Sequence, residues 1–409
     1  MSTEQVPTSP FASNIPRYFL YTALKNFGFG LFVAIWVIYL QQRRGLSLTE
    51  ATVIDVTFLV VATLGEMPTG IVADTYGRKT SMTIGSALMG VSMLAWPIVP
   101  TIPLILIAYA GMALGFTFLS GAEEALFFES LKRIGRVEDY QRLAGQIGAV
   151  TLGAFAVGNA ASGLLATVDL IVPFLAGGLC TMSMLGIVLT LQEPPAEELL
   201  EGQIRKSYRQ VMRDALAVMR TRPALRYPVI YLAFVPLAGA LLETFLVQPQ
   251  AVSFGIPIAW IGFIIMAIQL TNILGSNWSQ RISTHVGEKR VIYLSPLAIV
   301  VSLILLAVLQ VRPSLTLIAV IGFVTAVLRP LIMNLIHAEV TDDIRATALS
   351  MQSLISLLLM TVGELAVGFI ADKAGLPTAY VVLAVGIGLM SLILFWNSRS
   401  HFPQVVEST

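Results

Sequence analysis

Residues Gly65–Lys79 read GEMPTGIVADTYGRK, and a related stretch returns at Gly363–Pro377 as GELAVGFIADKAGLP. Six residues keep their identity and spacing between the two copies: a glycine, a glutamate, a second glycine, an alanine, an aspartate and a third glycine. The Arg78–Lys79 pair that ends the first copy has no counterpart in the second. Both copies lie in apolar surroundings, so the match is either chance among common small residues or a trace of an internal repeat.

The composition points to lipid as the solvent of this chain. Of its 409 residues, 56% are hydrophobic and 12% are charged, whereas about a quarter of the residues of a soluble domain are charged. Because lipid offers no partners to unpaired backbone groups, repeated spans must be helical. A formal net charge of +1 without a basic run gives no support for nucleic-acid binding.

Hydropathy predicts an all-α membrane protein with twelve transmembrane helices in two six-helix halves. A polar segment at 192–227 separates an N-terminal half, 1–191, from a C-terminal half, 228–396, and a tail follows at 397–409. The predicted spans 1 to 12 are 18–40, 50–72, 80–100, 102–127, 143–166, 170–191, 228–250, 258–279, 291–311, 314–337, 347–371 and 378–396.

The basic residues predict the orientation of these spans. With the N-terminus inside, nineteen of the 25 lysines and arginines fall in cytoplasmic segments, four fall outside and two fall within spans. The positive-inside rule therefore predicts cytoplasmic termini and a cytoplasmic linker at 192–227. The first motif copy closes span 2 and the second closes span 11, so the copies face opposite sides, and only the cytoplasmic copy carries the basic pair. Repeats of opposite orientation are a common construction of secondary transporters.

The twelve spans, the basic central linker and the loop GIVADTYGRK together resemble the major facilitator superfamily, over essentially the whole chain. The loop matches that family's G-x-x-x-D-x-x-G-R-[KR] motif at Gly70, Asp74, Gly77, Arg78 and Lys79. In the family this loop latches the two halves on the cytoplasmic side, so the resemblance implies a gating role for these residues. Together with SGAEEALFFESLKRIGRVEDYQRLAGQ, the motif is similar to an exporter-like, drug–proton antiporter branch.

Eight charged residues lie clear of the ends of the predicted spans, where a charge costs at least about 2.5 kcal/mol without a partner. By the resemblance, spans 1, 4, 7 and 10 line the substrate cavity, and they carry Lys25, Glu123, Glu124, Glu243 and Arg329. We expect Lys25, Glu123, Glu243 and Arg329 to contact substrate. Fixed ion pairs, Lys25 with Glu123 and Arg329 with Glu243, are the alternative.

The remaining three carboxyl groups, Asp55, Glu66 and Glu364, lie on spans 2 and 11. By the resemblance these spans lie where the halves touch, so we expect the three residues to exchange protons with whichever side is open. Asp55 is near enough to the outer boundary to be a solvated helix-end residue instead. For Glu124 the alternative is a position at the cytoplasmic interface.

Aromatic residues accompany the predicted cavity charges, among them Tyr21 and Trp36 near Lys25. An aromatic cavity with isolated charges suits an amphipathic organic substrate, although rings of this kind also pack against lipid or neighbouring helices. No metalloprotease, nucleotide-phosphate-loop or paired-cysteine motif is present. The sequence thus predicts no enzyme, no metal and no cofactor.

We therefore expect a monomeric, proton-coupled exporter of small amphipathic or cationic organic compounds in the cell membrane, working by alternating access. The open alternatives are an importer or facilitator of an organic anion or metabolite, and a lipid flippase. A membrane-embedded enzyme or a receptor without transport is a third class.

Overall fold

The computed structural model describes residues 10–194, 213, 217, 220, 223–339 and 342–398. Within these ranges the secondary structure is helical, with no strand. Most of the predicted linker, 192–227, and nearly all of the predicted tail, 397–409, lie outside the described residues.

All twelve predicted spans coincide with helices. Their bounds are as follows: span 1, Asn14–Val33, Trp36–Ile38 and the π-helical Tyr39–Arg43; span 2, Leu48–Tyr76; span 3, Arg78–Ala95; span 4, Ile102–Leu119 and Ala122–Arg133; span 5, Tyr140–Ala166; span 6, Val172–Thr190; span 7, Pro223–Phe234, Leu237–Leu241, the π-helical Leu242–Leu246 and Val247–Ser253; span 8, Ile258–Val286; span 9, Glu288–Val308; span 10, Thr316–Glu339; span 11, Asp342–Ala374; span 12, Leu376–Ser398. Short 3₁₀ turns occupy Pro10–Ser13, Val137–Asp139 and Arg312–Leu315.

Length and apolar composition allow ten of the described helices to cross a membrane. The two helical pieces of span 1 are bent by 42° and qualify together as an eleventh. Span 3, Arg78–Ala95, is shorter, at 18 residues, and begins with two basic residues. The molecule is therefore a multi-pass helical membrane protein.

Contacts divide the chain into two compact units, Met1–Tyr39 with Val53–Gln203 and Ile258–Phe263, and Leu40–Thr52 with Ile204–Pro257 and Ile264–Thr409. In the first, span 1 packs on spans 5 and 6, span 3 packs on spans 4 and 6, and spans 5 and 6 touch. In the second, spans 7, 9, 11 and 12 make the corresponding contacts: 7 with 11 and 12, 9 with 10 and 12, and 11 with 12. The same neighbour pattern thus occurs twice, six spans apart.

Small residues set the closest helix contacts in the first unit. Span 1 meets span 5 backbone to backbone at Gly30 and Gly158, where a Cβ on either residue would clash with the other helix. Close approach through small residues is the usual way in which helices associate in lipid. The contact holds span 1, with Lys25, in a defined position beside the rest of its unit.

Candidate functional site

A charged pair in the first unit joins span 1 to span 4. The Lys25 Nζ lies 2.6 Å from both carboxylate oxygens of Glu123. The Tyr21 hydroxyl donates to Glu123 Oε2 at 2.8 Å. Both charged side chains are mostly buried, at 15% and 21% exposure. Of the two roles that the sequence left open for these residues, the structure shows the ion pair.

A break in span 4 places the acidic member of this pair. The first helix ends at Leu119 and the second begins at Ala122. Between them Gly121 has a φ of +72°, which a residue with a side chain rarely adopts. Glu123 and Glu124 therefore stand in the first turn of the second helix, where the helix dipole favours negative charge.

A cavity of about 360 Å³ opens beside the break. Its charged lining residues are Lys25, Glu123 and Glu124, so its formal charge is −1. Glu124 is exposed, and its Oε1 accepts a hydrogen bond of 2.6 Å from the Tyr140 hydroxyl. The remaining lining residues are Asn26, Phe29, Met89, Phe116, Leu119, Ser120 and Gly121. A small, mostly apolar pocket with a few charges is the usual form of an organic-ligand site.

The two aromatic residues predicted for the cavity lie in the packed interior of the unit. Tyr21 is fully buried; its hydroxyl donates to Glu123, and the Lys25 Nζ lies 5.6 Å from the centre of its ring. Trp36 is 2% exposed and stacks on Tyr109 with the ring centres 6.4 Å apart. Phe29 and Phe116 supply the rings of the cavity instead.

The carboxyl group of Asp55, on span 2, also lies inside the first unit. It is 9% exposed, and its Oδ1 accepts a hydrogen bond of 2.8 Å from the Tyr109 hydroxyl. Tyr109 in turn stacks on Trp36. The structure thus buries Asp55 against an aromatic cluster.

In the second unit, Glu243 meets an amide. The Asn272 Nδ2, on span 8, lies 3.0 and 2.9 Å from the two Glu243 oxygens. Arg329 is exposed, and no ion pair between Arg329 and Glu243 is found among the described residues. Glu243 is part of the π-helical turn Leu242–Leu246, a feature rare in proteins and frequent at functional sites.

The two glutamates of the repeated motif have different surroundings. Glu66, in the first copy, is exposed in the structure. Glu364, in the second copy, is fully buried. The equivalent sequence positions therefore do not have equivalent environments.

The first motif copy forms a compact polar turn. Gly77 has a φ of +97° and precedes the helix of span 3. Asp74 accepts a bond of 2.6 Å from Arg78 Nη1, and Arg78 also lies 3.6 Å from Glu129. The Glu193 carboxylate accepts from the backbone N–H groups of Arg78 and Lys79, at 2.7 and 2.6 Å. Glu193, 115 residues after Arg78, thus caps the start of span 3.

The aspartate of the second copy, Asp372, caps a different helix. Its Oδ1 accepts from the Leu48 N–H at 3.0 Å and its Oδ2 from the Thr49 N–H at 2.7 Å. The Thr49 hydroxyl donates to the same Oδ2 at 2.5 Å. These are the first N–H groups of span 2, which lack partners within their own helix.

The sequence matches the family described as Major Facilitator Superfamily over residues 18–321 and, in a second overlapping match, over residues 251–407. This chain belongs to that superfamily. The likeness noted in the motif at Gly70–Lys79 therefore extends over nearly the whole chain. Membership makes the protein a transporter and indicates that it is not an enzyme. The finer likeness to an exporter-like branch stays a prediction.

Solved structures of transporters share the fold of this superfamily member. The nucleoside transporter NupG is similar with a TM-score of 0.76 and 15% identity, over 94% of this chain and 99% of that one. A bacterial homologue of the human lysosomal transporter Spinster gives 0.74 and 13%, over 96% and 98%. A D-xylose–proton symporter gives 0.69 and 14%, over 97% and 99%. A search of curated proteins finds no match. At these identities the likeness shows the fold alone.

Several functional candidates escaped the sequence analysis. Asn272, Tyr140 and Glu193 each bind a charged or backbone group from another helix or from a distant part of the chain. Asn272 and Glu193 lie outside the quoted motifs, and Tyr140 lies in the stretch SGAEEALFFESLKRIGRVEDYQRLAGQ without having been assigned a role. The break in span 4 had a signal, because Ser120-Gly121 followed by two glutamates is a typical helix start.

Proposed function

We propose that this protein exports small cationic amphipathic compounds in exchange for protons, by alternating access, from a cell membrane in which both termini are cytoplasmic. The substrate binds in the span 1–span 4 cavity of the first unit. Coupling is assigned to Asp55, Glu66 and Glu364, and gating to the motif residues Asp74 and Arg78. In this proposal the transporter acts as a monomer.

The charge of the cavity is the observation that carries the substrate class. Lys25 and Glu123 neutralise each other at 2.6 Å, which leaves the exposed Glu124 as the excess charge. Phe29 and Phe116 offer ring faces beside it. A lipophilic cation gains from the carboxylate and from the π faces together, whereas an organic anion would meet a net negative wall.

Removing the Glu124 charge tests this proposal. We expect Glu124→Gln to weaken the binding of a lipophilic cation by about tenfold, which corresponds to about 1.4 kcal/mol. The glutamine keeps the oxygen that accepts from Tyr140, so the cavity keeps its shape. The measurement is exchange of a cationic dye against a pH gradient in proteoliposomes, with binding followed separately by a thermal shift.

The matched control is Glu138→Gln, which removes an exposed carboxylate outside the cavity lining. We expect this variant to bind the cation and to exchange it for protons as the wild-type protein does. Equal affinity of Glu124→Gln and the wild type for the cation contradicts the proposed site. Wild-type flux that ignores the pH gradient contradicts proton coupling.

An importer or facilitator of an organic anion is the second candidate, because Lys25 lines the cavity and Arg329 is exposed in the second unit. A substrate panel graded by charge separates the two. Thermal stabilisation by carboxylates rather than by cations favours this candidate, and stabilisation by phospholipid analogues alone favours a lipid flippase.

A further inference from the structure

Glu243 stands at a local change in helix geometry. Span 7 switches from α-helix at Leu237–Leu241 to a π-helical turn at Leu242–Leu246 and returns to α-helix at Val247. A π turn interrupts the regular i to i−4 hydrogen bonding of the helix. In this chain the interrupted turn carries the acidic side chain, in a partly buried position.

The partner of Glu243 is neutral. Both carboxylate oxygens accept hydrogen bonds from the same Asn272 Nδ2. No cation forms an ion pair with Glu243 among the described residues. A carboxylate away from water is stabilised by a cation or by several donors. A single shared amide donor stabilises the carboxylate less than either of these does.

Asn272 also offers an acceptor for a carboxyl proton. Its Oδ1 is buried and has no hydrogen-bond partner among the described residues. A Cβ on Gly322 would clash with this Oδ1 and would lie 2.6 Å from Glu243 Oε1. Asn272 Oδ1 and Glu243 Oε1 thus both lie against Gly322 of span 10, which has no side chain. Rotation of the amide by about 180° exchanges Nδ2 and Oδ1, so that a protonated carboxyl oxygen of Glu243 can donate to Oδ1.

Of the charged groups on the helices packed around this pair, Arg329 is distant along its helix, whereas Glu364 lies near the same part of span 7. Arg329 follows Gly322 by seven residues on span 10, about 10 Å along the axis, and is exposed. Glu364, on span 11, is buried beside Gly363, whose Cβ would approach Leu241 of span 7 at 3.2 Å. The titratable and charged residues further along spans 8, 10 and 11 are Arg281, His285, His337, Glu339, Asp342, Asp343, Arg345, Asp372 and Lys373.

We propose that Glu243 and Asn272 form a proton-binding site in the second unit. The ionised Glu243 accepts from Asn272 Nδ2, and the protonated Glu243 donates its O–H to Asn272 Oδ1. The carboxylate takes one proton from water and returns one proton to water, so no other group changes its charge. Its use in transport rests on the proposed function, while proton binding itself does not.

Infrared difference spectroscopy of the full-length protein in lipid nanodiscs tests the site directly. We expect a carboxylic-acid C=O band that appears as the pH falls and that shifts in D₂O. The band is absent in Glu243→Gln, and its frequency changes in Asn272→Leu because the acceptor is lost. Glu288→Gln, which removes an exposed carboxylate, keeps the band and is the matched control. A band that persists unchanged in Glu243→Gln overturns the proposal.

A second variant guards against a folding defect in Glu243→Gln. Gly322→Ala retains the carboxyl group but places a methyl group against both oxygens, so the band should persist at a changed frequency. An unchanged frequency in both Gly322→Ala and Asn272→Leu overturns the assigned partner.

Transport measurements separate this site from the proposed function. With the site coupled to transport, Glu243→Gln keeps substrate counterflow and loses pH-driven exchange. A wild-type protein that shows the band but no proton-driven cation flux leaves the proton site standing and refutes the proposed function. A Glu243→Gln variant with full pH-driven exchange refutes the coupling role of the site.

Discussion

At the scale of single residues, the two units stabilise a carboxyl group inside the membrane in different ways. Glu123 is matched by a full positive charge at 2.6 Å and by a tyrosine hydroxyl. Glu243 is matched by a neutral amide. The first arrangement compensates a full negative charge with a positive one, and the second is the site at which we propose that a proton binds. Fixed structure and chemical switching thus fall on different residues.

The Lys25–Glu123 pair is expected to contribute to folding as a unit. Lys25→Met leaves the Glu123 charge with Tyr21 alone, so we expect a loss of about 3 kcal/mol in the free energy of unfolding, the lower end for a buried pair because both side chains keep some exposure. The double variant Lys25→Met with Glu123→Gln removes both charges and should recover most of this loss. Chemical unfolding in detergent measures it, with the exposed Lys289→Met as control.

Additive effects of the two substitutions would contradict this interaction. In that case each side chain acts on stability through other neighbours, and the short contact carries little net energy. Recovery in the double variant that leaves cation binding intact would also show that Glu124, rather than Glu123, determines the affinity for cations.

From the sequence we predict which charged residues lie on the spans, but not which groups form hydrogen bonds or ion pairs with them. Lys25 with Glu123 was one of two open alternatives, because residues on spans 1 and 4 can meet or can each face substrate. Arg329 with Glu243 was equally reasonable, yet Asn272 takes that place. Amides and hydroxyls are unremarkable in an apolar sequence, and their importance appears only when packing brings them beside a charge.

At the scale of helices, hydropathy located all twelve spans but none of their interruptions. A window of about 19 residues averages over Ser120-Gly121 and over Leu242–Leu246, since both stretches remain apolar on either side. Whether a helix breaks or forms a π turn depends on tertiary packing as well as on local preference. The interruptions matter, because they place Glu123, Glu124 and Glu243.

The cap on span 2 gives a prediction for the repeated motif. Asp372 accepts from two otherwise unpaired N–H groups at the start of Leu48–Tyr76, so Asp372→Ala should lower the free energy of unfolding by about 1 kcal/mol. Asn is also a good capping residue, and Asp372→Asn should lose only part of that amount. Thermal unfolding of purified protein measures both variants.

The exposed Lys373→Ala is the matched control for Asp372→Ala, because it changes the neighbouring residue and leaves the cap in place. Equal stability of Asp372→Ala and the wild type would show that water replaces the cap without loss. In that case the aspartate of the second motif copy serves no structural purpose at this helix end.

At the scale of the whole molecule, the repeat seen in the sequence corresponds to a repeat in packing. Each unit has the same set of neighbouring helices, displaced by six spans. The two motif copies sit at the ends of spans 2 and 11, yet Asp74 pairs with Arg78 and Asp372 caps span 2. The basic pair present in only one copy accounts for part of this divergence, since Asp372 has no arginine four residues later.

The orientation of the whole chain rests on its charges and gives the last prediction. Nineteen basic residues are predicted inside and four outside, so the loop after span 1 should face outward and the loop after span 4 should face the cytoplasm. The only native cysteine, Cys180, is replaced by serine, and single cysteines are introduced as Gln42→Cys, in the last turn of span 1 beside that loop, or as Glu138→Cys, in the loop after span 4, both at exposed positions. A membrane-impermeant thiol reagent applied to intact cells should label Gln42→Cys alone, and permeabilised cells should label both. Labelling of Glu138→Cys in intact cells would show that the topology is the reverse of the predicted one, and the faces assigned to both motif copies would then be exchanged.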